Sequence, residues 1–200
     1  MKTSNHNIQT VRNYFGRIVA LVLIAGLSAF AVSEQVSFKN VSGSQIKVNG
    51  TSNIHDWNMI ATSFNAEGNF VLNGGQLQDI TALNFTLPLS NLKGKEDLLT
   101  TRAHKALKAE QFNKITFKLT NATVVQQQKV IKATGNLTIA GVTKPVTLQT
   151  TYTVSGNEVI IKGSETIKMS DYGIKAPTFM MGALKVANDV TVDINLKIKN

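Results

Sequence analysis

From Gln35 onward, apolar and polar residues alternate almost one for one, and no other feature restricts the fold of this chain as much. Successive side chains of a strand point to opposite faces, so a period of two means strands with one oily face each. The pattern is cleanest in four runs: Leu83, Phe85, Leu87 and Leu89; Ile115, Phe117 and Leu119; Ile131, Ala133, Leu137 and Ile139; Val190, Val192, Ile194, Leu196 and Ile198. Mostly Asn, Thr, Lys, Asp and Gln stand between them. Weaker runs span 36–40, 45–49, 54–60, 62–72, 146–154 and 159–169. Asn73-Gly74-Gly75, Ala140-Gly141 and Ser155-Gly156-Asn157 supply the positive φ that tight hairpins need. Together these signs predict an antiparallel meander.

Helical spacing occurs once, over 95–107, where Leu98, Leu99, Arg102, Ala103, Ala106 and Leu107 recur at intervals of one, three and four. The stripe is narrow, so this one short helix is expected to close an end of the sheet. About eight strands with one helix between them must bury their apolar faces on each other, as a barrel or a sandwich. An eight-stranded barrel either fills with its own side chains or holds one small ligand. The fold class expected is all-β, and long runs such as 129–139 favour a tall barrel.

Ahead of the strands, Lys2, Arg12 and Arg17 precede an apolar run over 18–30 that ends in Ala29-Phe30-Ala31. That order of basic, apolar and small residues reads as a signal peptide over residues 1–31, cleaved near Ala31, with a periplasmic or secreted domain over 32–200. The run is well short of the ~20 residues that cross a bilayer. Cysteine is absent, which excludes a lipoprotein anchor, disulfides, thiolate metal sites and cysteine nucleophiles.

Three of the 21 basic residues lie in that leader and none of the 12 acidic ones, leaving 18 basic against 12 acidic residues, a net +6. The lysines are spread along the strands, as on a solvated outer face. Arg102 is the one arginine left, so the clustered arginines and exposed aromatics of a nucleic-acid groove are missing. A transient contact with an anionic membrane surface is the one macromolecular partner the charge allows.

Chemistry-bearing motifs are few. His55 and Asp56 are neighbours, and neighbours on a strand cannot meet the same substrate atom; local hydrogen bonding at a strand end is the expectation. His55 and His104 with scattered carboxylates fall short of a three- or four-ligand metal shell, and His104 is expected at the surface or a cap of the helix. No Gly-x-Ser-x-Gly elbow or phosphate-cradling glycine pattern occurs. The reading is therefore no enzyme, no catalytic residue and no metal.

Four ordered blocks carry a resemblance. They are Gly50-Thr51-Ser52-Asn53-Ile54-His55-Asp56-Trp57; Ala103-His104-Lys105-Ala106-Leu107-Lys108-Ala109-Glu110-Gln111-Phe112 running into Lys114-Ile115-Thr116-Phe117-Lys118; Gly135 to Val146; and Met169-Ser170-Asp171-Tyr172-Gly173-Ile174. The chain resembles the YceI-like proteins over nearly all of residues 32–200. It departs at Asn113, where relatives often carry proline, and in the His-Asp-Trp triplet, found in part of the family. The resemblance implies an extended, lipocalin-like antiparallel β-barrel with a long apolar interior, in which some relatives hold a polyisoprenoid.

The expected ligand is accordingly a long-chain apolar lipid, either an isoprenoid lipid or an isoprenoid quinone, with no other cofactor. The residues expected to touch it are Phe85, Leu87, Phe117, Leu119, Leu137, Ile139 and Tyr152, which share the apolar parity of their strands. Trp57 is a further candidate, and Phe179, Met180 and Met181 are placed near the mouth, in a methionine-rich segment that either plugs the barrel or acts as a lid. Parity does not separate a hollow wall from a filled core, so a barrel packed by its own side chains stays open beside the carrier. An outer-membrane barrel would alternate too, with its oily faces outward.

Overall fold

The structure, a computed structural model, describes residues 34–200; the expected leader (1–31) and the expected domain start at residue 32 lie outside the described residues. Twelve strands follow one another: β1 (Glu34–Asn40), β2 (Gln45–Ser52), β3 (Trp57–Ala61), β4 (Asn65–Asn73), β5 (Gln76–Pro88), β6 (Lys93–Gly94), β7 (Lys114–Val125), β8 (Val130–Ile139), β9 (Val142–Ser155), β10 (Glu158–Lys168), β11 (Thr178–Phe179) and β12 (Leu184–Lys199). One α-helix, α1 (Asp97–Ala106), stands between β6 and β7.

Eight of these strands form a closed antiparallel ring in the order β1-β4-β5-β7-β8-β9-β10-β12. Lys39 and Asn40 close it by pairing with Lys199 and Ile198. Beyond a turn at 41–44, β2 continues along the same edge of β12, with Gln45 opposite Asn195 and Gly50 opposite Val190. β3 then pairs with β2, as β4 pairs with β1. The result is an up-and-down barrel closed between β1 and β12.

The strand expected over 54–60 starts only at Trp57. The Ser52 hydroxyl donates to the His55 carbonyl at 2.8 Å and accepts the His55 amide at 3.1 Å, which folds 52–56 into a tight turn. α1 begins at Asp97 rather than Lys95, and Thr100 fastens it by accepting the Gly94 amide at 2.9 Å. His104 is half-buried, and its Nε2 donates to the Leu92 carbonyl at 3.0 Å, so it ties the helix to the sheet instead of facing solvent freely.

Inward-facing side chains make one main core. At the end near residues 40, 155 and 198 the centre is solid: Phe38, Phe70, Leu77, Tyr152, Val159 and Ile198 are all buried. The rings of Phe38 and Phe70 meet in a tilted pair with centroids 5.1 Å apart. Towards α1 aliphatic and small residues take their place on the axis, aromatic rings lie along the wall, and the barrel is hollow.

Candidate functional site

That hollow has a volume of about 640 Å³, in the range of pockets that enclose a small molecule. Ile80, Ile131, Ile161 and Leu196 form its floor, directly above the solid end. The register arranges the wall on β10, β12, β2 and β3 in layers. Above the floor come Gly163, Ile194, Ile46 and Ala61, then Glu165, Val192, Val48 and Met59, then Ile167, Val190, Gly50 and Trp57. Two glycines are obligatory because rings lie on them. A side chain at Gly50 would run into the Trp57 indole, and one at Gly135 into the Phe117 ring.

The mouth is built by α1, by the turn at 52–56 and by the segment before β12. α1 offers Leu98, Leu99, Arg102, Ala103 and Ala106 to the hollow. Opposite stands the hairpin of β11 and β12, in which Phe179 pairs with Leu184. The Arg102 guanidinium lies 4.0 Å from the Phe179 ring centroid, a cation–π contact that joins helix to hairpin across the opening. Asn53 holds the hairpin from the other side, donating to the Ala183 carbonyl at 2.8 Å and accepting the Lys185 amide at 2.7 Å.

Of the side chains expected to touch a ligand, Trp57, Phe85, Leu87, Phe117, Leu137, Ile139 and Phe179 border the hollow. Phe85, Phe117 and Leu137 stand side by side across β5, β7 and β8. Four others lie elsewhere. Tyr152 points inward but packs into the solid end, level with its cross-strand partner Ile161, and does not border the hollow. Leu119 packs on the core without reaching the hollow, because the Phe117 ring folds across Gly135, its cross-strand partner. Met180 and Met181 are exposed at the hairpin tip, where both take positive φ and turn outward. In this segment Phe179 borders the mouth and the two methionines face solvent.

Sequence reading missed two polar groups on the inner wall, Glu165 and Thr150. Parity marks both, since Glu165 alternates with Ile161, Gly163 and Ile167, and Thr150 with Leu148 and Tyr152. They stand where the wall parts. β9 and β10 are paired only as far as Thr150 and Gly163; beyond that β9 keeps only β8 as a partner, and β10 only β12. Pro145, with no N–H to give, sits in the one-sided stretch of β9. Residues 169–174 close the gap by packing Tyr172 and Ile174 on Ile139 and Ala140. Burial first, and the neighbouring Asp171 carboxylate second, push the Tyr172 phenol above its ordinary value.

The polar rim is local in its bonding. His55 Nδ1 donates to the Asp56 carbonyl at 2.9 Å, and the Trp57 indole donates to the Thr51 carbonyl at 3.3 Å. Among the described residues no three His, Asp or Glu side chains converge as metal ligands would. The arrangement offers shape, dryness and a few fixed polar points.

Comparison with known proteins gives a consistent picture. The YceI-like domain family matches residues 28–198. BcnA from Burkholderia cenocepacia has a similar structure, with a TM-score of 0.66 at 16% identity, over 78% of this chain and 96% of that one. A polyisoprenoid-binding domain from Saccharophagus degradans, implicated in plant cell wall breakdown, aligns with a TM-score of 0.63 at 11% identity, over 83% of this chain and 99% of that one. The YCEI protein of Campylobacter jejuni aligns with a TM-score of 0.53 at 18% identity, over 61% and 74% of the two chains. No curated protein matches the sequence.

Proposed function

This chain belongs to the YceI-like domain family, and from that premise we propose that it is an exported carrier that holds a polyisoprenoid or similar long apolar chain in its hollow. The observation that carries this reading is the hollow itself, about 640 Å³ with walls that are aliphatic and aromatic on nearly every strand. Each buried CH₂ of a guest contributes ~0.8 kcal/mol. A chain of several prenyl units therefore offsets the cost of its own ordering without any strong polar contact. The solved Saccharophagus domain, which its describers call polyisoprenoid-binding, supports the choice of guest.

Trp57, Phe85, Leu87, Phe117, Leu137, Ile139 and Phe179 are the side chains proposed to touch it. The role proposed is binding without catalysis, a reading supported by Ser52, His55 and Trp57 at the rim, which bond to nearby backbone. Ile54, Leu98, Met180 and Met181 are large, apolar and exposed around the mouth. They suit a transient contact with a membrane surface, where a lipid enters or leaves without crossing water. Export would follow from the leader over 1–31.

Solvent extraction and mass spectrometry of the purified protein test the proposal. A prenyl lipid near one per chain is the expected result. No extracted lipid, together with no saturable binding of geranylgeraniol, would replace the carrier with a purely structural barrel.

A further inference from the structure

Between its floor and its mouth the inner wall is aliphatic and aromatic except at one place, and there it carries a carboxylate beside a threonine. Glu165 occupies an inward position on β10, one layer below the rim layer of Ile167, Val190, Gly50 and Trp57. Its cross-strand neighbour is Val192. Two residues earlier on β10, Gly163 pairs with Thr150, which is 6% exposed and also borders the hollow. The Thr150 hydroxyl is buried without a hydrogen-bond partner. An unpaired buried hydroxyl costs free energy, and here it lies one layer from a carboxylate on the adjoining strand.

We infer that Glu165 and Thr150 are the headgroup subsite of the hollow, and that the guest ends in a hydroxyl, as an alcohol or phenol, and not in a phosphate. The inference rests on the carrier reading above and specifies the ligand that it takes. An ionised carboxylate only accepts hydrogen bonds, whereas the threonine hydroxyl can donate one. A single hydroxyl serves both, donating to Glu165 and accepting from Thr150. A phosphate meets the reverse situation, because like charge repels it. Nor does the rim compensate. Its charged residues are Lys95 and Arg102 against Asp56 and Glu96, and one face of the Arg102 guanidinium is taken by Phe179.

Three probes with similar tails test this by equilibrium titration: geranylgeraniol, geranylgeranyl phosphate and the headless hydrocarbon phytane. The native protein should bind geranylgeraniol at least roughly tenfold more tightly than the phosphate, the size expected of one hydrogen bond to a charged group. Glu165→Leu should lose most of the alcohol's advantage over phytane, and Glu165→Gln should bind the phosphate more tightly than the native protein does. Unchanged phytane affinity in both variants shows that they fold and keep the hollow. Equal or tighter native binding of the phosphate, or unchanged alcohol affinity in Glu165→Leu, overturns the subsite while leaving the carrier intact. Failure of the native protein to bind any of the three overturns both.

Discussion

The two ends of this barrel are made from the same strands and follow the same alternation, yet one is solid and the other hollow. At the solid end β1, β4 and β9 contribute Phe38, Phe70 and Tyr152 to the axis, and large rings leave no space. Towards the mouth the same strands, or their continuations, contribute Val48, Met59 and Leu148, with Gly163 and Ala133 beside them. The difference teaches that parity decides whether a side chain enters the barrel, and side-chain volume, layer by layer, decides whether a guest can follow.

Stability should record this contrast most strongly. Phe70→Ala leaves a void in a close-packed region and is expected to cost ~3–5 kcal/mol. Val192→Ala, on the hollow wall, should cost about 1 kcal/mol or less, since its side chain already lacks neighbours on one side. Urea unfolding of both variants measures the difference, and equal losses would break the distinction between the two ends. The reverse substitution sharpens it. Val192→Phe puts bulk where the guest is meant to lie, so geranylgeraniol affinity should fall at least roughly tenfold, with stability within about 1 kcal/mol of the native protein.

Smaller effects are expected at the rim and in the solid end. Phe179→Ala removes the ring under Arg102 and should cost about 0.5–1 kcal/mol. Bound geranylgeraniol should leave a few times faster, which stopped-flow displacement would detect. Tyr152→Phe should be the mildest change. The tyrosine hydroxyl is buried without a partner, so its removal should be neutral or stabilising by up to about 1 kcal/mol. Burial raises the Tyr152 phenol above its ordinary value near 10. The folded state then keeps a proton that the unfolded chain releases, so stability is constant below about pH 10 and falls as pH rises beyond it. Tyr152→Phe should lessen that alkaline loss, so that its advantage over the native protein grows as pH rises above about 10.

How far the sequence is legible follows from the same contrast. Alternation, hairpin glycines and one helical stretch are local signals, and they suffice for about eight strands and a helix folded as a barrel or a sandwich, while the family resemblance points to the barrel. They also put Phe85, Phe117 and Leu137 on the inner side, because parity survives any choice of register. Height along the axis depends on which residues of neighbouring strands lie opposite each other, and that is non-local. Tyr152 and Leu137 have the same parity, but the register sets one opposite Ile161 at the floor and the other beside Phe117. Met180 and Met181 escaped for another reason: their positive φ belongs to a hairpin tip, and turn geometry outweighed their hydrophobicity. Glu165 was readable by simple counting along β10, where a carboxylate replaces the expected aliphatic residue.

The central claim is that the mouth half encloses a dry space that takes up a hydrocarbon chain. Trp57 is the only tryptophan and borders that space, so its fluorescence reports directly on occupancy. Titration with a brominated prenyl chain should quench it saturably at one chain per protein, and Val192→Phe should abolish the effect. Quenching that rises without saturation, or that persists unchanged in Val192→Phe, would contradict the account.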